Sequence, residues 1–370
     1  MVGVARHLFA RGNTARGVHS LYDSAFQGLS KLFLLAGYPG TGKSAVLKQI
    51  SDGAINQGET VELFHSPFAP DDLDALIIQD LKVGIADERV CQGLSAIPHV
   101  ELVRIEFGQA VDVRQLSADA MQEIDTLHTE RRAACAHAYE TFATALRIHD
   151  EWEAIYISHM DFQKADQVGQ ELANSLFGER LRHKQAAVRH LFFGAATPKG
   201  AVDHIPTLTS HLARRILIKG RPGSGKSTML KRLAAAAEAK GVDVEVFHCG
   251  FDPNSLDMLI FPELSVAIFD STSPHEYFPS QSSDEVLDMY ERAIEPGTDE
   301  RYASEIEPIQ QRYAQKMQEA ISSLKEAQRL HLNLRSHYTA CTDFAQVNQL
   351  GTQLQQEIER LASAVATDPQ

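Results

Sequence analysis

Cationic residues are in deficit: Lys and Arg number 35 against 49 Asp and Glu, for a net charge of -14 with the 16 His neutral. Tight electrostatic binding to nucleic acid needs a surplus of Lys and Arg to neutralise phosphates, so nucleic acid is not an expected partner. Cysteine is also scarce. Cys91, Cys135, Cys249 and Cys341 stand far apart without Cys-x-x-Cys spacing, which excludes a disulfide framework and fits a reducing cytoplasm. No apolar run approaches the roughly 20 residues that cross a bilayer, so no membrane partner is expected.

What is present is a chain of ordinary globular composition, 44% hydrophobic and 23% charged over 370 residues. Such a length favours two domains. Self-similarity supports this. Residues 6–87 align with 189–270 without a gap, and about 32 of the 82 positions are identical, against roughly 6% for unrelated chains of average composition. Arg6-His7-Leu8-Phe9 matches Arg189-His190-Leu191-Phe192, so the Arg6, Arg11 and Arg16 region reads as part of the fold and not as a targeting leader. After a shift of register, Pro98-His99 matches Pro274-His275. Arg147-x-His149, Asp161-Phe162 and Gly169 then match Arg329-x-His331, Asp343-Phe344 and Gly351. The expected domains are 1–188 and 189–370.

In each half, short apolar runs bounded by turn residues read as strands: 31–36, 61–65, 75–78 and 83–87, with counterparts at 215–219, 244–248, 258–261 and 266–270. A helix follows the first, as over 44–55. Strands alternating with helices predict an α/β fold with a mainly parallel sheet. The stretches 116–177 and 300–362 are rich in Ala, Gln, Glu and Leu and read as helical hairpins. Trp152, Ile155, His159, Phe162, Val168, Leu172 and Leu176 recur at helical intervals. Core packing against a sheet domain or the other hairpin is the plainer reading of that stripe; a lid or an arm for a protein partner is the alternative.

Two segments carry chemistry. Gly37-Tyr38-Pro39-Gly40-Thr41-Gly42-Lys43-Ser44 and Gly220-Arg221-Pro222-Gly223-Ser224-Gly225-Lys226-Ser227, the second followed by Thr228, satisfy G-x-x-x-x-G-K-[ST] between a strand and a helix. The pattern predicts a nucleotide phosphate cradle. Glycines aim backbone N–H groups at phosphate oxygens, the helix dipole adds positive potential, Lys43 and Lys226 reach the β- and γ-phosphates, and Ser44 and Ser227 offer hydroxyls to Mg²⁺. Glycine turns that bind nothing, or one half kept as scaffold, are the competing readings.

Asp87 and Asp270 end strand-like runs downstream of each loop and are the expected carboxylate ligands of Mg²⁺. A turn or cap role is the ordinary alternative. Glu88, whose counterpart is Ser271, is positioned in sequence to orient an attacking water in the first half alone. His65 and His248, the Phe68-x-Pro70-x-x-Leu73-Asp74 and Phe251-x-Pro253-x-x-Leu256-Asp257 clusters, and the two Pro-His pairs also recur. Strand C-termini of open sheets line ligand crevices, although histidines in such places are more often structural.

On His7-Leu8-Phe9, Gly12-Asn13-Thr14, both glycine loops, Pro253-x-Ser255-Leu256-Asp257 and Thr197-Pro198-x-Gly200, nearly the whole chain resembles bacterial double P-loop proteins commonly labelled ATPase or nucleotide kinase. The resemblance implies a P-loop NTPase fold binding ATP, and GTP is equally compatible with the loops. Three functions follow as expectations: Mg²⁺-dependent ATP hydrolysis coupled to conformational change, a nucleotide or small-molecule kinase with Asp74 or Asp257 as base, and a nucleotide sensor with little turnover. The first is preferred, because two joined sites suit coupled opening and closing. Glu88 next to Asp87, and a longer segment before His99, set the first half apart from the second.

Overall fold

The computed structural model describes residues 3–92, 99–178 and 182–367. The chain forms two compact units: residues 1–10, 22–136 and 323–370 make the first, and 11–21 and 137–322 the second.

The first unit is built on a six-stranded mixed sheet in the order Val4–Leu8, Thr60–Ser66, Ala69–Ile78, Val83–Asp87, Lys31–Ala36, Glu101–Glu106. Ala69–Ile78 runs antiparallel to both neighbours, and the other pairings are parallel. Every residue of Val83–Asp87 is buried, as an interior strand with both faces covered requires. Helix Lys43–Asn56 covers one face through Val46, Leu47 and Ile50.

The second unit repeats this order: Val188–Leu191, Val244–His248, Leu256–Phe261, Val266–Asp270, Arg214–Lys219, Asp284–Asp288, with Leu256–Phe261 antiparallel. Its covering helix is Lys226–Ala239. The duplication is therefore one of topology as well as sequence. Each sheet is mixed, with three of its five pairings parallel, and two strands per sheet escaped the sequence reading. Both are edge strands, and Glu101–Glu106 carries charges and an exposed Leu102 that break the apolar pattern.

The hairpins consist of helices Ala118–Ile157 and Phe162–Phe177, and Ala303–Ala340 and Phe344–Thr367. The repeated Asp161 and Asp343 are N-caps: Asp161 accepts from Gln163 N and Lys164 N, and Asp343 from Ala345 N and Gln346 N. The halves 1–188 and 189–370 describe the sequence repeat, whereas the units cut the chain differently. Helix Phe344–Thr367, from the second repeat, buries Val347, Leu354 and Ile358 against Val46, Leu47 and Ile50 of the first unit. Helix Phe162–Phe177, from the first repeat, buries Val168, Leu176 and Phe177 against Met229, Leu230 and Leu233 of the second.

Gly351 lets its helix approach closely, since an added Cβ would lie 3.3 Å from Val46. The helical stripe thus packs as core at Val168, Leu172 and Leu176, while Phe162 stays exposed. Strands Arg11–Thr14 and Gly17–Ser20 form a hairpin within the second unit, where Asn13 Nδ2 donates to Ala196 O at 2.9 Å and Ala15 N to Phe251 O at 2.9 Å. Among the described residues no helix is long and apolar enough to cross a membrane.

Candidate functional site

In each unit the strand ending in aspartate pairs directly with the strand that feeds the glycine loop. Asp87 lies opposite Leu35 and Asp270 opposite Ile218. Strand pairing therefore brings an acid to the loop from residues about fifty positions away. The loops themselves need glycine. Gly40 and Gly42 have φ 84 and 80, and Gly223 and Gly225 have φ 73 and 86; this left-handed backbone is unfavourable for residues with a Cβ. Each loop leads directly into a helix start, where backbone N–H groups and the helix dipole attract anions in general.

In the first unit Lys43 is buried, with Nζ donating to Gly37 O at 2.7 Å and lying 3.2 Å from Asp87 Oδ2. Burial pulls its pKa down to about 8 against the opposing pull of Asp87. Burial raises the Asp87 pKa, but Arg89 and Lys43 outweigh it and hold the carboxyl below its ordinary value. Arg89 braces that carboxylate through N and Nε to Oδ1, each at 3.0 Å, and through Nη2 to Oδ2 at 2.6 Å. Ser44 Oγ accepts from Leu73 N at 3.0 Å and donates to Asp72 Oδ1 at 3.3 Å.

Thr41 Oγ1 closes the loop onto Tyr38 O, next to the turn at Pro39 and Gly40. Helix Ala303–Ala340 lies on this loop with its C-terminal part: Thr339 Oγ1 donates to Gly40 O at 3.2 Å, Tyr38 stacks on Tyr338 at 4.7 Å between centroids, and a Cβ on Gly40 would come 2.7 Å from Arg335 O. Glu88 is held by Arg104, at 2.6 and 3.2 Å; none of its hydrogen bonds reaches Lys43 or Asp87.

In the second unit Lys226 Nζ donates to Arg221 O at 3.0 Å and lies 3.5 Å from Asp270 Oδ2. Ser224 Oγ donates to Arg221 O at 2.7 Å, and Ser227 Oγ accepts from Leu256 N at 3.0 Å. Asp270 Oδ1 accepts from Thr272 N and Oγ1. Arg221 pairs with Asp299 at 2.6 Å. A cavity of about 1280 Å³ opens beside the loop, its lining including Pro222, Thr228, Asp257, Asp270 and His275. Burial, reinforced by Asp270, pushes the Asp257 carboxyl up to about 6.

His275 Nδ1 lies 2.8 Å from Asp203 Oδ2, and Tyr277 OH donates to Asp203 Oδ1 at 2.6 Å. This fixes the imidazole with Nδ1 as the donor. Sequence reading missed Asp203, because its aligned counterpart is Ser20 and nothing local marks it.

The histidines that end the second strands are hydrogen-bonded in pairs with those of the first strands. His7 Nδ1 meets His65 Nε2 at 2.8 Å and His65 Nδ1 meets Pro70 O at 2.8 Å; His190, His248 and Pro253 repeat the arrangement at 2.8 and 2.6 Å. Burial takes His65 down to about 4 and lowers His7, His190 and His248 as well. Pro98 lies outside the described residues, and His99 is exposed.

All four candidate metal donors, Ser44 Oγ with Asp87 and Ser227 Oγ with Asp270, are oxygens, the donor type that Mg²⁺ prefers. Each loop thus brings together left-handed glycines, one ammonium and one strand-end carboxylate. Comparison with protein-family models, with curated proteins and with solved structures found no match for this chain.

Proposed function

We propose that each unit binds a nucleoside triphosphate with Mg²⁺ and that the chain is a phosphoryl-transfer enzyme with two non-equivalent sites. The observation that carries this reading is the duplicated lysine–aspartate pairing, at 3.2 Å in one unit and 3.5 Å in the other, at the mouth of a left-handed glycine loop. Lys43 and Lys226 hold the β- and γ-phosphates, and Ser44 with Asp87 and Ser227 with Asp270 hold the metal. A bound Mg²⁺ would supply charge neutralisation to the polyphosphate.

In the second unit the cavity leaves room for an acceptor, and Asp257 in its lining is the carboxylate that would take the acceptor's proton. Transfer to a small-molecule hydroxyl is thereby favoured there over transfer to water. Hydrolysis coupled to movement keeps one supporting observation, the helix that seats Thr339 on Gly40. The full chain titrated calorimetrically with a non-hydrolysable Mg-ATP analogue should take up two equivalents, and Lys43→Ala and Lys226→Ala should each remove one. One equivalent, lost in Lys226→Ala and kept in Lys43→Ala, would reduce the first loop to scaffold. Following ADP, phosphate and phosphorylated products with a panel of nucleosides and small alcohols separates acceptor-dependent transfer from hydrolysis.

A further inference from the structure

In the first unit the carboxylates nearest the loop are each braced by an arginine. Arg89 grips Asp87, and Arg335 Nη1 donates to Asp72 Oδ2 at 2.8 Å while Asp72 Oδ1 accepts from Ser44. A third, Arg131, comes from helix Ala118–Ile157. Its Nε is buried without a hydrogen-bond partner, as is Nδ1 of His331, one turn before Arg335. Burial, then Arg131, Arg89 and Arg335, lower the His331 pKa to about 4, so that side chain is neutral and the three guanidiniums carry the positive charge. Arg131 also lines a groove of about 500 Å³ with Asp125, His128, Thr129 and Arg132. Any divalent cation on Ser44 and Asp87 competes with Arg89 for its carboxylate and leaves that guanidinium in need of another anion.

The second repeat serves as a control built into the same chain. Arg131, His331 and Arg335 align with Tyr313, His149 and Glu153, and Arg89 aligns with Thr272. Matching burial at Ala138 and Ala320, Phe142 and Leu324, and Ala145 and Ala327 confirms the helix register. Tyr313, Glu153 and Thr272 line the second unit's cavity. Equivalent positions thus carry three arginines in one unit and tyrosine, glutamate and threonine in the other, whose cavity takes Arg221 and Arg232 from elsewhere.

We propose that Arg89, Arg131 and Arg335 form a second phosphate subsite beside the Lys43 loop, and that the second unit lacks this set of arginines. Planar guanidinium forks match the oxygens of a phosphate dianion. The inference takes its location from the nucleotide reading of the loop. Two sources share this chemistry: the γ-phosphate of a nucleotide on the same loop, and the phosphate ester of a second ligand.

The test is calorimetric titration of the full chain with inorganic phosphate, with and without saturating Mg-ADP, and separately with Mg-ADP and a non-hydrolysable Mg-ATP analogue. Wild type, Arg131→Gln, Arg131→Lys and, as a surface control, Arg114→Gln are compared. Arg131→Gln should weaken phosphate, or the ATP analogue relative to ADP, by tenfold or more, with Arg131→Lys intermediate and Arg114→Gln unchanged. A loss seen only with the ATP analogue assigns the subsite to the γ-phosphate; a loss seen with inorganic phosphate on the Mg-ADP complex assigns it to a second ligand. Both affinities within twofold of wild type in Arg131→Gln would overturn the subsite. Absence of Mg-ADP binding in the wild type would overturn the nucleotide reading separately, and the nucleotide-free phosphate titration would then still decide the role of Arg131 by the same tenfold and twofold limits.

Discussion

Removing residues 344–370 deletes one helix of the second repeat, yet the damage should fall on the first unit. That helix buries Val347, Leu354 and Ile358 to 3%, 2% and 4% exposure in the core that covers Val46, Leu47 and Ile50. At about 1.5–3 kcal/mol for each fully buried aliphatic side chain, the loss is about 5–9 kcal/mol. The figure is an upper estimate, because a denatured chain already buries part of this surface. It still rivals the roughly 5–15 kcal/mol that holds a whole domain folded. The second unit, in which helix Phe162–Phe177 packs on Met229, Leu230 and Leu233, keeps its core. Hydrogen exchange read by mass spectrometry checks this: amides of Lys31–Ala36 should lose protection in the truncated chain, and those of Arg214–Lys219 should retain it. The reverse pattern, protection lost at 214–219 and kept at 31–36, would refute the assignment of hairpins to units.

Two further outcomes are expected. Asp257 has a folded pKa of about 6, raised by burial and by Asp270, so ionising it opposes folding; the penalty is absent below the unfolded value near pH 4, grows as pH rises through 6 and is complete above it. Asp257→Asn should therefore stabilise the second unit by about 2–3 kcal/mol at pH 8 and hardly at all at pH 4, and equal denaturation midpoints for variant and wild type at pH 8 would contradict the burial argument. Glu88 is engaged by Arg104, so Glu88→Gln should change single-turnover phosphate release from Mg-ATP by less than threefold; a hundredfold loss would restore Glu88 as the residue that orients water.

The glycine loops, their helices and the strand-end aspartates were legible in the sequence, because each is written in one short window with its own punctuation. The hairpins were legible as helices for the same reason. Their destination was not. Two similar copies offer each amphipathic face two similar partners, and nothing in the spacing of Val168, Leu172 and Leu176 says whether Met229 or Val46 receives them. The edge strands Glu101–Glu106 and Asp284–Asp288 escaped because exposed charges erase the apolar run. Asp203 and Arg131 escaped for another reason: each gains its significance only from residues dozens of positions away, His275 in one case and His331 with Arg335 in the other. His65 and His248 stand at strand ends by position, and each is hydrogen-bonded to a second histidine and to a proline carbonyl, a pairing that nothing in either strand's own window announces.

The traded hairpins also bear on descent. A polypeptide holding one repeat would leave its own 43–56-type helix bare unless a second copy lent a hairpin, which is the architecture of a swapped homodimer. Fusion of two such genes would preserve the trade inside one chain, and selection would then act across the copies. Substitutions in 344–367 answer to 43–56, and those in 162–177 answer to 226–239. Each repeat is in this sense a mosaic, its front half constrained by one partner and its rear half by another, and drift between the copies should respect the exchanged pairs more faithfully than the order of the sequence.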